Sequence, residues 1–126
     1  INFFPDERRQ QLLMDLSLNL KAVISQRLVP AEGRKGRVAA VEIMINSPLI
    51  SDLIFKGSVS EIKEIMKKSR ELGMQTFDQA LYELFESGQI SYAEAIKNAD
   101  SANDLRLAIQ LKSRRGQNAG IDFELL

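Results

Sequence analysis

The side chains best able to do acid–base chemistry in this chain are carboxylates, because its 126 residues include no histidine and no cysteine. Glu83 and Glu86 lie three residues apart, as do Glu61 and Glu64, so each pair would share one face of a helix. A catalytic acid needs burial or a like-charged neighbour to raise its pKa, and both pairs fall on polar helix faces. We interpret them as solvent-facing charges.

Motifs for nucleophilic catalysis, phosphate binding and nucleic-acid binding are also missing. Without histidine or cysteine, the hydroxyl side chains have no evident activating base, which excludes a nucleophilic triad. No GxxxxGK(S/T) or GxGxxG motif is present to cradle a phosphate. Basic and acidic residues both number 17, so no overall basic field favours nucleic acid. Composition and motifs alone predict an interaction or scaffold module.

Two charged residues in apolar segments are candidates for specific contacts. Glu42 interrupts the apolar run from Val38 to Ile45, so it either faces solvent, forms an ion pair with Arg27 or Arg37, or has a functional role. Arg27, in the run ISQRLVP, is a candidate for a defined partner.

Three cations, Arg34, Lys35 and Arg37, cluster in a glycine-containing turn. Such a cluster can bind phosphate, an acidic lipid surface or an acidic neighbouring subunit, or it can simply be a solvated loop. No aromatic residues are interleaved with these cations, which argues against single-stranded nucleic acid as the ligand.

The first part of the chain reads as a helix followed by a β element. Pro5 opens a helix whose apolar stripe continues through Val23 and Ile24, so we expect the helix to fade near Arg27. A turn over 30–36 precedes a buried strand over 37–46. We favour a short first strand over 25–29, which would make a hairpin; the alternative is a helix–loop–strand unit.

Short helices fill the rest of the chain. Hydroxyl residues followed by an acid or amide three positions later predict helix starts at Ser58, Thr76 and Ser91, with a weaker version at Ser101. Ser47, followed by a proline at the first helical position, predicts another helix start. Glycines at 57, 73 and 88 are placed to end helices. The predicted helices span about 48–56, 59–71, 77–87, 92–98 and 102–112.

These elements predict an α+β, mainly helical fold. We divide the chain into 1–46 (helix plus strands), 47–112 (a helical subdomain) and 113–126 (a mobile tail). Ile1 in place of methionine indicates that the sequence begins at an internal residue. No apolar run approaches the ~20 residues that span a bilayer.

Several segments of this chain resemble those of a known family, both in amino-acid sequence and in their order along the chain. They are FFPDERR (3–9), ISQRL (24–28), VEIMINSP (41–48), LISDLIFKG (49–57) and LGMQTFDQAL (72–81). Together they are similar to the C-terminal end of the PilT/PilU family of type IV pilus retraction ATPases, over roughly residues 1–112.

One segment distinguishes two branches of this family. The PilT helix that is associated with retraction typically reads AIRNLIRE, whereas residues 49–56 here read LISDLIFK. Ser51 and Phe55 therefore replace both arginines, which makes the chain more similar to PilU. Both positions are candidate partner contacts.

The resemblance implies the end of a RecA-like P-loop ATPase core, in the form of a hairpin or edge strand, followed by a helical subdomain. It implies a cytoplasmic homo-hexamer, peripheral at the inner membrane at the pilus base, that contacts the membrane platform and a sister retraction ATPase. ATP and magnesium would bind the intact protein and not this fragment, which we expect to be inactive alone and able to dimerise.

Two rival readings remain. Zero cysteines argue against a related secretion ATPase that carries a four-cysteine zinc module. A non-catalytic helical adaptor is the alternative from another class. The candidate subunit or partner contacts are Arg27, Arg34, Lys35, Arg37, Glu42, Ser51 and Phe55.

Overall fold

The computed structural model describes residues 6–118. Its fold is α+β and mainly helical, because these residues form one two-stranded hairpin and otherwise helices shorter than 15 residues. The elements are α1 Asp6–Asn19, β1 Ala22–Pro30, β2 Arg37–Ile45, α2 Pro48–Lys56, α3 Val59–Lys67, a 3-10 turn at Arg70–Leu72, α4 Phe77–Glu86, α5 Tyr92–Asn98, α6 Ala102–Lys112 and α7 Arg114–Asn118.

The two strands pair as a hairpin, as the favoured prediction required. The Ala31 N–H donates to the Gly36 carbonyl at the turn (3.0 Å), and the Asn46 N–H donates to the Lys21 carbonyl at the open end (2.9 Å). Both hydrogen bonds belong to the same register, so no extra residue is inserted into either strand.

The boundary between α1 and β1 corrects the sequence prediction. The helix ends at Asn19 and not near Arg27, and the first strand is nine residues long. Val23 and Ile24, expected on the helix stripe, lie in β1 and are 41% and 71% exposed. Their branched side chains suit a strand, and pairing with β2 satisfies the strand's backbone groups. Pro5 lies outside the described residues.

The described chain forms two compact units, and their boundary differs from the expected division after residue 46. Unit 1 comprises residues 6–24 and 43–76, and unit 2 comprises residues 25–42 and 77–118. The hairpin contributes its open end to unit 1 and its turn end to unit 2, so each of its strands belongs to both units.

In unit 1, α1 packs on α2 over a methionine-rich core. Ser47 caps α2 by accepting a hydrogen bond from the Ile50 N–H. Gly57 ends this helix with φ of +72°, a left-handed conformation that costs glycine little. The buried core residues are Met44, Ile50, Ile54, Met66 and Met74.

Unit 2 is organised around α4. The predicted apolar stripe of this helix buries Phe77, Ala80, Leu81 and Phe85, with Leu84 half-buried. The other buried core residues are Val29 and Ala40 of the hairpin, Ile90, Ala95, Leu105 and Ile109.

The start of the expected tail forms part of this unit. Ser113 is fully buried, and helix α7 follows it at Arg114–Asn118. Residues 114 and 115 of α7 contact other parts of the unit, and the mobility of the tail stays a prediction. Residues 119–126 lie outside the described residues.

The predicted helix bounds are confirmed for α2, α5 and α6 and differ for α3. Helix α3 ends at Lys67, and the Ser69 hydroxyl donates to the carbonyl of Ile65 (2.7 Å), a contact that competes with the helical backbone bonds. Ser58 makes no side-chain cap, contrary to the predicted capping box, whereas Ser91 and Ser101 do cap their helices.

Candidate partner-contact sites

Arg27 is held by contacts within its own unit. Its guanidinium donates to the carbonyl of Asn98 (2.9 Å) and to Asp100 Oδ1 (2.7 Å). The guanidinium carbon also lies 3.9 Å from the ring centroid of Phe77. Arg27 therefore holds β1 against the C-terminal end of α5 and the loop that follows it; a contact of Arg27 with another subunit or protein stays a prediction.

Asp78 holds the same loop from α4. Its two carboxylate oxygens accept hydrogen bonds from the N–H groups of Asp100 (2.8 Å) and Ser101 (3.0 Å). The sequence analysis missed this role, since Asp78 looks like an ordinary first-turn acid and its partners lie 22 and 23 residues further on.

Glu42 lies at the beginning of α4. Its Oε1 accepts a hydrogen bond from the backbone N–H of Phe77 (3.2 Å), one of the N–H groups that a helix start leaves unpaired. Arg27 and Glu42 thus both contact Phe77, one through its ring and the other through its backbone. The described ion pair of Arg27 is with Asp100.

The structure brings the three cations Arg34, Lys35 and Arg37 together at the exposed hairpin turn. Glu32, the acid nearest to them in sequence, forms an ion pair with Arg115 of α7. This carboxylate is therefore engaged elsewhere, and the turn presents a basic tip.

Ser51 and Phe55 have different environments on α2. The half-buried Ser51 hydroxyl donates to the carbonyl of Ser17 in α1 and is within 3.2 Å of Asn46 Oδ1. Phe55 is 47% exposed and lines a groove of about 380 Å³. Ser51 therefore joins two helices, whereas Phe55 is available at the surface. The other residues that line the groove are Glu7, Gln10, Gln11 and Met14.

Arg115 docks the C-terminal helix, and the sequence analysis did not single it out. Its guanidinium donates to the carbonyls of Phe85 and Ile90 (both 2.6 Å) and pairs with Glu32. It also lies 4.5 Å from the ring centroid of Phe85. No local pattern could reveal these contacts, because the partners lie 25 to 83 residues away.

Glu86 caps the start of α7. It accepts hydrogen bonds from the Ser113 hydroxyl and from the Arg114 N–H (3.1 Å). The pKa of Glu86 is lowered, mainly by the hydrogen bond from Ser113. The backbone N–H groups of Arg114 and Arg115 lower the pKa further, whereas partial burial acts to raise it.

The full sequence lacks a glycine-rich phosphate loop. Within residues 6–118, no group of three or more histidine, cysteine or acidic side chains is arranged to hold a metal ion. Nor is any helix in that range both long and apolar enough to cross a bilayer.

Known proteins are similar to this chain in sequence. The chain is 58% identical over 113 residues to the type IV pilus ATPase PilU of Pseudomonas aeruginosa PAO1, covering 90% of this chain and 30% of PilU. It is 39% identical over 99 residues to the retraction ATPase PilT of that bacterium, covering 79% of this chain and 28% of PilT. No protein-family model matches.

A solved structure shares the fold. The crystal structure of the pilus retraction motor PilT with bound ADP superposes with a TM-score of 0.67 at 31% identity, covering 82% of this chain and 28% of that one.

The chain therefore belongs to the PilT/PilU family of type IV pilus ATPases, of which it represents a C-terminal part. Within this family it is closer to PilU than to PilT, as the motifs at 49–56 predicted. The chain spans about 30% of the length of the curated relatives that it matches.

Proposed function

We propose that this chain is the C-terminal part of a type IV pilus retraction ATPase that powers pilin disassembly and twitching motility. The observation that carries the proposal is the 58% identity to PilU over 90% of the chain. Identity at this level, spread over most of the residues, supports the same role in the same machine.

In this proposal, the intact protein is a cytoplasmic homo-hexamer at the inner-membrane base of the pilus. ATP and magnesium bind parts of it that lie outside these 126 residues. The present segment packs against neighbouring subunits and contacts the membrane platform and a sister retraction ATPase. The exposed basic turn (Arg34, Lys35 and Arg37) and the groove beside Phe55 are the surfaces that support a contact role.

The test compares the intact protein with this chain alone in a coupled ATPase assay with magnesium. We expect turnover by the intact protein and none above background by the chain alone. A retraction-deficient strain lacking the intact gene should regain twitching when that gene is restored. Turnover by the pure chain would contradict the placement of the ATP site. An intact protein without ATPase activity would instead favour the non-catalytic adaptor.

We also propose that the isolated chain self-associates. Leu18, Ile24 and Leu111 are each more than 70% exposed, and such apolar side chains are usually covered in a complete protein. Sedimentation velocity over a range of concentrations should show a dimer that grows with concentration. A monomer throughout would contradict this proposal.

A further inference from the structure

Two apolar and three polar side chains line the groove between α1 and α2. Met14 and Phe55 form its apolar part and are 44% and 47% exposed. Glu7, Gln10 and Gln11 form its polar part, and they share a face of α1 with Met14 at helical spacing. No cation lines the groove in the described part of the chain.

The orientation of Gln11 adds to this polarity. Its Nε2 uses one of its two N–H groups to donate to Asp15 Oδ1 (3.0 Å), and its amide oxygen can accept. Glu7 contributes a carboxylate, which accepts hydrogen bonds only. With the Glu7 carboxylate and no cation among these lining residues, the groove favours a cation over an anion.

Arginine fits both parts of such a groove. Its aliphatic stem can pack along the Met14 side chain, and its planar guanidinium can stack on the Phe55 ring. Its N–H groups can then donate to the Glu7 carboxylate and the glutamine oxygens. Unit 2 contains the same combination internally, where the Arg115 guanidinium stacks on Phe85 and donates to surrounding oxygens.

We propose that this groove binds an arginine side chain presented by a partner protein. The inference rests on the partner-contact role proposed above and names its chemistry. An acidic segment would place a second negative charge beside the Glu7 carboxylate, and a purely apolar one would leave that carboxylate without a donor.

The experiment titrates the full 126-residue chain, labelled at its methionine methyl groups and phenylalanine rings, with a short leucine–arginine–leucine peptide. We expect saturable NMR shifts of Met14 and Phe55. A matched peptide with citrulline in place of arginine keeps the shape and removes the charge, and it should shift them much less.

Variants locate the site. Phe55→Ala and Glu7→Gln should each weaken binding by about two- to fivefold, the range expected for one exposed cation–π or ion-pair contact. Leu49→Ala on α2, at 51% exposure, and Asp6→Asn on α1 are controls outside the groove and should leave binding unchanged.

Three results would overturn the proposal. Equal shifts with the citrulline peptide would mean apolar recognition only. Shifts elsewhere with none at Met14 or Phe55 would place the cation site on another surface. Groove shifts that follow protein concentration without peptide would make a second copy the occupant. Because the titration uses no nucleotide, each failure would leave the ATPase proposal standing.

Discussion

The guanidinium of Arg27 lies 3.9 Å from the centroid of the Phe77 ring, so a strand residue stacks on the first residue of α4. The same arginine donates to the carbonyl of Asn98, the last residue of α5, and Glu42 of the neighbouring strand accepts a hydrogen bond from the Phe77 N–H. Phe77 is thus the point at which both strands of the hairpin meet the helices of unit 2.

Replacing Arg27 should destabilise the fold. Arg27→Ala should lower the free energy of unfolding by about 1–2 kcal/mol, mostly through the lost carbonyl hydrogen bond and ring contact. The ion pair adds little, because the side chains of Arg27 and Asp100 are 38% and 39% exposed. Urea denaturation measures the change. Arg34→Ala, at the exposed turn, is the matched control, and an equal loss there would refute this account.

Gly116 should not tolerate a larger residue. A Cβ at this position would lie 2.8 Å from Cγ2 of Ile109, which is fully buried. Gly116→Ala should therefore cost about 1–3 kcal/mol through overpacking. Gln117→Ala, on the exposed side of the same helix, should change stability by less than about 0.5 kcal/mol. Thermal melts of the two variants provide the comparison, and similar melting temperatures would contradict the close packing of α7.

The two arginines typical of PilT should differ in cost when introduced here. Ser51→Arg removes the hydroxyl that donates to Ser17 and forces a long side chain into a half-buried position, so we expect a loss of about 1–3 kcal/mol. Phe55→Arg is at the surface, and its stem can cover part of the same area, so about 1 kcal/mol or less is expected. Chemical denaturation should show a larger loss for Ser51→Arg than for Phe55→Arg. Ser51→Ala removes the same hydrogen bond without a larger side chain, so it separates the two causes of the loss at this position. The reverse order would mean that Phe55 is the more tightly packed side chain.

Acid should weaken the docking of α7 through Glu86. The pKa of the Glu86 carboxyl is lowered in the folded chain from its ordinary value of 4.5. The carboxylate therefore stabilises the fold above pH 4.5, and this stabilisation is lost as the pH falls through the lower pKa of the folded state. The difference in melting temperature between the wild type and Glu86→Gln should therefore be largest near neutral pH and shrink below about pH 4.5. Glu83→Gln, on the exposed face of α4, which also carries Glu86, should show no such trend. A difference that stayed constant down to about pH 3 would contradict the role of the ionised carboxylate. The measurements extend to this pH because ordinary carboxyl groups have a pKa of about 4.

Local signals in the sequence determined much of the helical part and the family. Ser47, Ser91 and Ser101 cap the helices that they were expected to open, because a cap bonds only residues two or three positions away. The spacing of Phe77, Leu81 and Phe85 identified the buried face of α4, since helical periodicity is also local. The motif order identified the PilT/PilU family and its PilU-like branch.

Only the tertiary structure decided where α1 gives way to β1 and which charges are internal. Val23 and Ile24 fit a helical stripe as well as a strand, and pairing with the second strand selects the strand. The hydrogen-bond partners of Arg27 lie 71 and 73 residues away from it along the chain, and Glu32 lies 83 residues away from its ion-pair partner Arg115. A charge pattern shows which residues can pair, but the choice among distant partners depends on how the folded backbone brings them together.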